Sequence, residues 1–183
     1  MSDDTRRMTR RHFGTATGCA IAGLAFGGAS FVSNPLFSAH GATANQADQA
    51  RLTPRPRAGT KTTLTSGALG LGRDRDGVVQ VPSKASDGPL PVLLLLHGAT
   101  QSGTRMLSRV TAAADAAGLV VIAPDSRNGT WDAIRGDFAE DIDYLNRVLE
   151  HVFARVNVDA KRLAIGGFSD GARYALSLGL ANG

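Results

Sequence analysis

From about residue 60 onward the chain alternates short apolar runs with longer stretches of helical spacing. Val78-Val79-Gln80-Val81 lies between the turn pair Asp76-Gly77 and Pro82 and predicts a strand; the glycine-containing segment Leu64 to Leu71 is its candidate partner. Pro91 to Leu96 reads PVLLLL, too short for a helix and apolar on both faces, the pattern of a buried strand in a parallel sheet. Arg105 to Ala117 has apolar positions at helical spacing and stops at Gly118. Leu119 to Ala123, LVVIA, predicts a second buried strand closed by Pro124 and Asp125. Phe138 to Val156 is the longest helical pattern, with Ile142, Leu145, Leu149, Val152 and Phe153 on one stripe. Leu163 to Ile165 predicts a short strand and Ala172 to Leu180 the helix behind it. This alternation predicts an α/β fold, a mostly parallel sheet with helices on both faces. In such sheets the reactive groups lie beyond the carboxyl ends of the strands.

The first sixty residues follow other rules. Thr9-Arg10-Arg11-His12-Phe13 precedes an uncharged, Gly/Ala-rich run from Thr15 to Phe37, and Ala42-Thr43-Ala44 supplies small residues for a peptidase. This resembles a twin-arginine (Tat) export signal over residues 1–44, cleaved before Asn45. The competing reading is a membrane anchor, because the run is long enough to span a bilayer, but its many glycines make a poor span. Residues 45–60, rich in Ala, Gln, Arg and Pro without apolar periodicity, read as a flexible linker, leaving 61–183 for the α/β domain. The expected location is therefore outside the cytoplasm, periplasmic or extracellular, with the export machinery as a partner and the membrane met only in transit. Net charge is +4, partly concentrated before residue 45 in four Arg against two Asp, and no basic stripe with interleaved aromatics follows. That speaks against a nucleic-acid partner. Cys19 is the single cysteine, so no intramolecular disulfide can form.

The chemistry-bearing stretch is Leu163 to Ala172, LAIGGFSDGA, in which an apolar run ends in glycines and meets the pattern G-x-S-x-G. In a nucleophile elbow the chain reverses from strand to helix so sharply that the serine hydroxyl stands exposed above the sheet. Ser169 occupies the tip, and the neighbours two places away, Gly167 and Gly171, are the smallest available. A second glycine-containing loop, His97-Gly98-Ala99-Thr100, follows PVLLLL directly. Acyl transfer builds negative charge on a carbonyl oxygen, which preorganised backbone N–H groups stabilise. In this architecture one donor is the amide after the nucleophile, here Asp170, and the other comes from this early loop. By position Ala99 is the first choice and Thr100 the second, with Gly98 allowing close approach to the substrate.

Together these pieces resemble an α/β-hydrolase, and are most similar to bacterial serine esterases of the phospholipase/carboxylesterase or polyhydroxybutyrate-depolymerase-like kind. The matching segments are LLLLHGATQSG, VVIAPDSRNGTWD and LAIGGFSDGARYALSLGLANG, covering roughly residues 75–183. The resemblance implies that Ser169 attacks an ester carbonyl, small or polymeric, and that His97 shapes the oxyanion loop. Trp131 and Arg135 lie in the loop after the second buried strand and are candidates for either substrate contact or loop packing. Asp125 comes too early in the order to be the triad acid, and His151 falls in the long helix pattern as a surface residue. No cofactor or metal ligand set is expected: no strand is followed by G-x-G-x-x-G, and the four histidines are scattered. The triad of this fold runs serine, acid, histidine. Residues 170–183 hold no histidine and only Asp170 as an acid, so the chain reads as the N-terminal part of such an enzyme, inactive by itself. The alternative is a non-catalytic exported remnant or binding module with a hydrolase-like fold.

Overall fold

The computed structural model describes residues 49–73, 75–84, 88–132 and 139–182. The twin-arginine segment, the expected cleavage point and Arg135 lie outside them. In chain order the elements are β1 (Gly67–Ala68), β2 (Gly77–Gln80), β3 (Leu90–Leu96), α1 (Gly103–Ser108), α2 (Thr111–Ala116), β4 (Val120–Pro124), a short 3-10 turn (Arg127–Gly129), α3 (Ala139–Phe153), β5 (Val158–Gly167) and α4 (Asp170–Asn182). The strands form one sheet in the order β1-β2-β4-β3-β5. β3 is parallel to β4 and to β5, whereas β1 and β2 run antiparallel to their neighbours. The Leu64–Leu71 segment thus does pair with the Val78 strand, through Gly67 opposite Val79 and Ala68 opposite Val78.

The period-2 alternation of the strands sorts the core into two layers. Val92, Leu94 and Leu96 of β3, with Val120 and Ile122 of β4, face α3 and α4, where Leu145, Val148, Val152, Tyr174 and Leu178 pack on them. Leu95 and Val121 point the other way and meet Met106 and Ala114 of α1 and α2. Both sheet faces are therefore covered, which explains why β3 and β4 read as unbroken apolar runs. All five residues of the predicted stripe, Ile142, Leu145, Leu149, Val152 and Phe153, are buried.

Two expectations need correction. The single helix expected over Arg105–Ala117 is broken at Arg109–Val110 into α1 and α2. Hydroxyls compete for the ladder there: Ser108 Oγ donates to the Arg105 carbonyl and Thr111 Oγ1 to that of Leu107, both 2.9 Å. The apolar spacing survives because Met106 and Ala114 still face one layer. The linker expected over 45–60 is packed from Ala50 onward: Ala50 is buried, the Leu52 amide donates to Asn182 Oδ1 (2.8 Å) and the Thr53 amide to Asn146 Oδ1 (2.9 Å). The segment carries no apolar period because polar side chains of α3 and α4 hold it instead.

Candidate active site

β5 ends beside the last residue of β3, with Gly167 paired to Leu96. The Phe168 amide still donates to the Leu96 carbonyl (3.0 Å), then the chain turns within one residue. The Gly171 amide bonds the Phe168 carbonyl, and the amides of Ala172 and Arg173 bond that of Ser169, at 3.0 to 3.1 Å, which starts α4. Ser169 is left at φ 52°, a left-handed conformation that costs a non-glycine residue of order 1 kcal/mol, and its side chain is exposed. The flanking glycines are forced by contact. A Cβ on Gly167 would lie 2.4 Å from the Gly171 carbonyl carbon, and one on Gly171 would lie 2.3 Å from the Leu96 carbonyl oxygen.

The loop after β3 comes up against this turn. A Cβ on Gly98 would meet Phe168 Cδ1 at 3.1 Å, and the Phe168 carbonyl oxygen and Ser169 Cβ each at 3.2 Å, so the loop backbone passes directly beside the serine. Thr100 is held at φ 58° with its amide donating to the Gly129 carbonyl (2.7 Å). That removes Thr100 as an oxyanion donor. Ala99 is exposed. Among the described residues, neither the Ala99 amide nor the Asp170 amide donates to a protein acceptor. The structure thus brings together Ser169, Gly98, Gly167, Gly171 and the residues carrying the two expected donors.

His97 is buried beneath the loop and both ring nitrogens are engaged. The Ser126 amide can only donate, so Nε2 accepts from it (2.9 Å) and Nδ1–H donates to the Gly98 carbonyl (2.7 Å). A ring so committed cannot take a proton from Ser169, and it ties the loop to the Ser126 backbone. Trp131 is fully buried, its indole N–H donates to the His97 carbonyl (2.8 Å), and its ring lies 5.2 Å from His97 and 5.5 Å from Tyr174. Of the two readings offered for Trp131, packing stands and substrate contact does not, because no face of the ring reaches solvent. His151 lies half-buried on α3, its imidazole pushed down by burial and then by Arg155. Asp125 accepts from the Gly103 amide (2.7 Å) and so serves the start of α1.

Sequence reasoning missed the loop Ser126–Asp132 as an organising element. Asn128-Gly129 is a turn pair, and both residues adopt positive φ, 53° and 79°; that dipeptide was the available signal. From this loop Ser126 reaches His97, Gly129 reaches Thr100, Trp131 reaches the His97 carbonyl, and Thr130 Oγ1 donates to Asp170 Oδ2 (2.9 Å). A charge cluster built on two buried carboxylates anchors its far end. The Asp132 amide donates to Asp141 (2.5 Å) and the Asp141 amide to Asp132 (2.9 Å), while Arg75 pairs with Asp141 and Arg127 with Asp132. Arg75 also lies over the Tyr144 ring, 3.9 Å from its centroid. Burial pushes the Asp141 carboxyl above its ordinary value, against the pull of the Asp132 amide and Arg75. Among the described residues no group of three or more His, Cys, Asp or Glu could hold a metal ion, and no helix is long and apolar enough to cross a membrane.

No family model matches the chain. Over 107 residues it is 33% identical to a bifunctional acetylxylan esterase/xylanase of Neocallimastix patriciarum, a match covering 56% of this chain and 15% of that protein. Among solved structures, an acetyl xylan esterase from Aspergillus awamori has a TM-score of 0.50 at 16% identity, covering 63% of this chain and 46% of that one. A thermostable esterase has a TM-score of 0.50 at 18% identity, covering 63% and 36%. The chain spans less than half the length of each of these proteins. The likeness in structure, taken with the mixed, mostly parallel sheet, shows that this chain has an α/β-hydrolase-type fold, similar to that of esterases.

Proposed function

We propose that the chain carries the nucleophile half of a serine ester hydrolase. The observation that carries this reading is Ser169 itself: an exposed serine held at positive φ between two glycines where any Cβ would press into backbone, beside a glycine loop. Ser169 Oγ attacks an ester carbonyl, and the developing oxyanion is stabilised by the Ala99 and Asp170 amides. The alcohol then leaves, and water releases the acyl group and restores the serine. The relatives named as acetylxylan esterases favour short acyl groups, acetyl above all, on a carbohydrate; nothing in the comparisons favours phospholipid substrates. No cofactor enters the scheme. Export through the Arg10-Arg11 signal accompanies this reading and suits a polymeric substrate outside the cell.

The base that takes the serine proton is not among the described residues. His97 has both nitrogens committed, His151 sits on α3, and His12 and His40 belong to the leader segment. The 183-residue chain alone should therefore turn over p-nitrophenyl acetate at background. A polypeptide continuing through an acid and a histidine should hydrolyse it and lose at least about 10³-fold on Ser169→Ala. Robust hydrolysis by the 183-residue chain, lost on Ser169→Ala, would overturn the missing-base claim. The same engagement of His97 favours a second reading, a non-catalytic exported binding module, and that reading wins if no extended polypeptide gains Ser169-dependent activity.

A further inference from the structure

The two amides assigned to the oxyanion come from separate parts of the chain, the loop after β3 and the first residue of α4. One short segment touches both. The Gly129 carbonyl accepts from Thr100, the residue after Ala99, and the next residue, Thr130, donates its hydroxyl to the Asp170 carboxylate. Thr100 is bent to φ 58° and Ser169 to φ 52° on either side of this bridge, so each wall departs from relaxed backbone next to its donor. The segment itself has little freedom: Trp131 is packed between His97 and Tyr174, and Asp132 is locked to Asp141 and Arg127. A rigid strut attached at adjacent residues to both walls sets the distance between them.

We propose that Thr130 is a positioning residue for the oxyanion site, acting through the Asp170 carboxylate to aim the Asp170 amide. This rests on the nucleophile reading of Ser169. It goes beyond that reading by giving the Asp170 side chain a task separate from its amide. A misplacement of donors by a fraction of an ångström is felt in binding a tetrahedral anion and hardly at all in overall folding.

The test needs no general base. Phenylboronic acid reacts with a serine hydroxyl to form an Oγ–B bond, the hydroxyl proton passes to buffer, and the tetrahedral boronate anion places an oxygen where the oxyanion would lie. Its dissociation constant is read by boron NMR on the 183-residue protein at mildly alkaline pH. Thr130→Val, which keeps the volume and removes the hydroxyl, should weaken the adduct about tenfold or more. Thr130→Ser should restore it to within about threefold of the parent. Asp170→Ala, which keeps the amide, should weaken it as Thr130→Val does, and the double variant should be no worse than the weaker single one. Should Thr130→Val fail to fold, Asp170→Ala tests the same contact from its other end. Loss of the adduct in Ser169→Ala, with Thr130→Val and Asp170→Ala unchanged, overturns the positioning role alone. An equal loss in Thr130→Ser and Thr130→Val overturns it too, as does strict additivity in the double variant. Undiminished binding by Ser169→Ala overturns the nucleophile assignment and the positioning role with it.

Discussion

A methyl group added to Gly167 would fall 2.4 Å from a backbone carbon, whereas one added to Gly98 meets its nearest neighbours at 3.1 to 3.2 Å. The two glycines of the site should therefore fail differently. Gly167→Ala must move backbone and should cost about 3 kcal/mol or more, read as a fall in the urea midpoint at unchanged slope. Gly98→Ala asks only a few tenths of an ångström from Phe168 and Ser169, and should cost under about 1 kcal/mol while weakening boronate capture at Ser169 several-fold. Equal losses of stability in both would remove the distinction. Ser169, Gly167 and Gly171 were legible in the sequence because a strained turn demands specific residue types at fixed spacing. The commitment of His97 was not, since its partners, the Ser126 amide and the Gly98 carbonyl, are backbone groups that any residue offers.

At the level of elements, apolar runs identified β3, β4, α3 and α4 because burial repeats with the geometry of each element. The break between α1 and α2 escaped because apolar spacing continues across it while the hydroxyls of Ser108 and Thr111 redirect the backbone. The Arg75–Asp141–Asp132–Arg127 cluster escaped for another reason: Arg75 is distant in sequence from the other three, and the four belong to no motif. Its pH dependence follows from Asp141. A carboxyl whose folded value is raised holds its proton where the unfolded chain has lost it. Its stabilising contribution is then complete below the unfolded value, near 3.8, and is given up as pH rises through the folded one. Asp141→Asn removes this dependence, so in urea titrations the variant should gain on the parent as pH rises from about 4. A stability difference that stays constant with pH would contradict the raised carboxyl.

On the scale of the whole molecule, the sheet is asymmetric. β5 pairs with β3 on one side, and among the described residues no strand pairs with its other side. Leu163 on this strand is 43% exposed, and Leu176 and Leu180 on α4 are 66% and 80% exposed. Unpaired backbone beside exposed leucine is a template for association. The 183-residue protein should self-associate with rising concentration, and Leu176→Lys with Leu180→Lys should reduce this in light scattering; a monodisperse parent would refute the expectation. Replacing Arg10 and Arg11 by Lys should leave precursor in the cytoplasm, and unchanged secretion would refute the twin-arginine assignment. The N-terminal attachment of Ala50, Leu52 and Thr53 bears on that same event. If the leader is cut before Asn45, only residues 45–49 separate the new terminus from anchored backbone, a leash of about 17 Å when fully stretched. The peptidase must then work almost against the protein's own surface. Any later trimming past Thr53 would release Asn182 and Asn146 together, so that wear at the amino terminus would first register as fraying at the far end of the helix that begins beside Ser169.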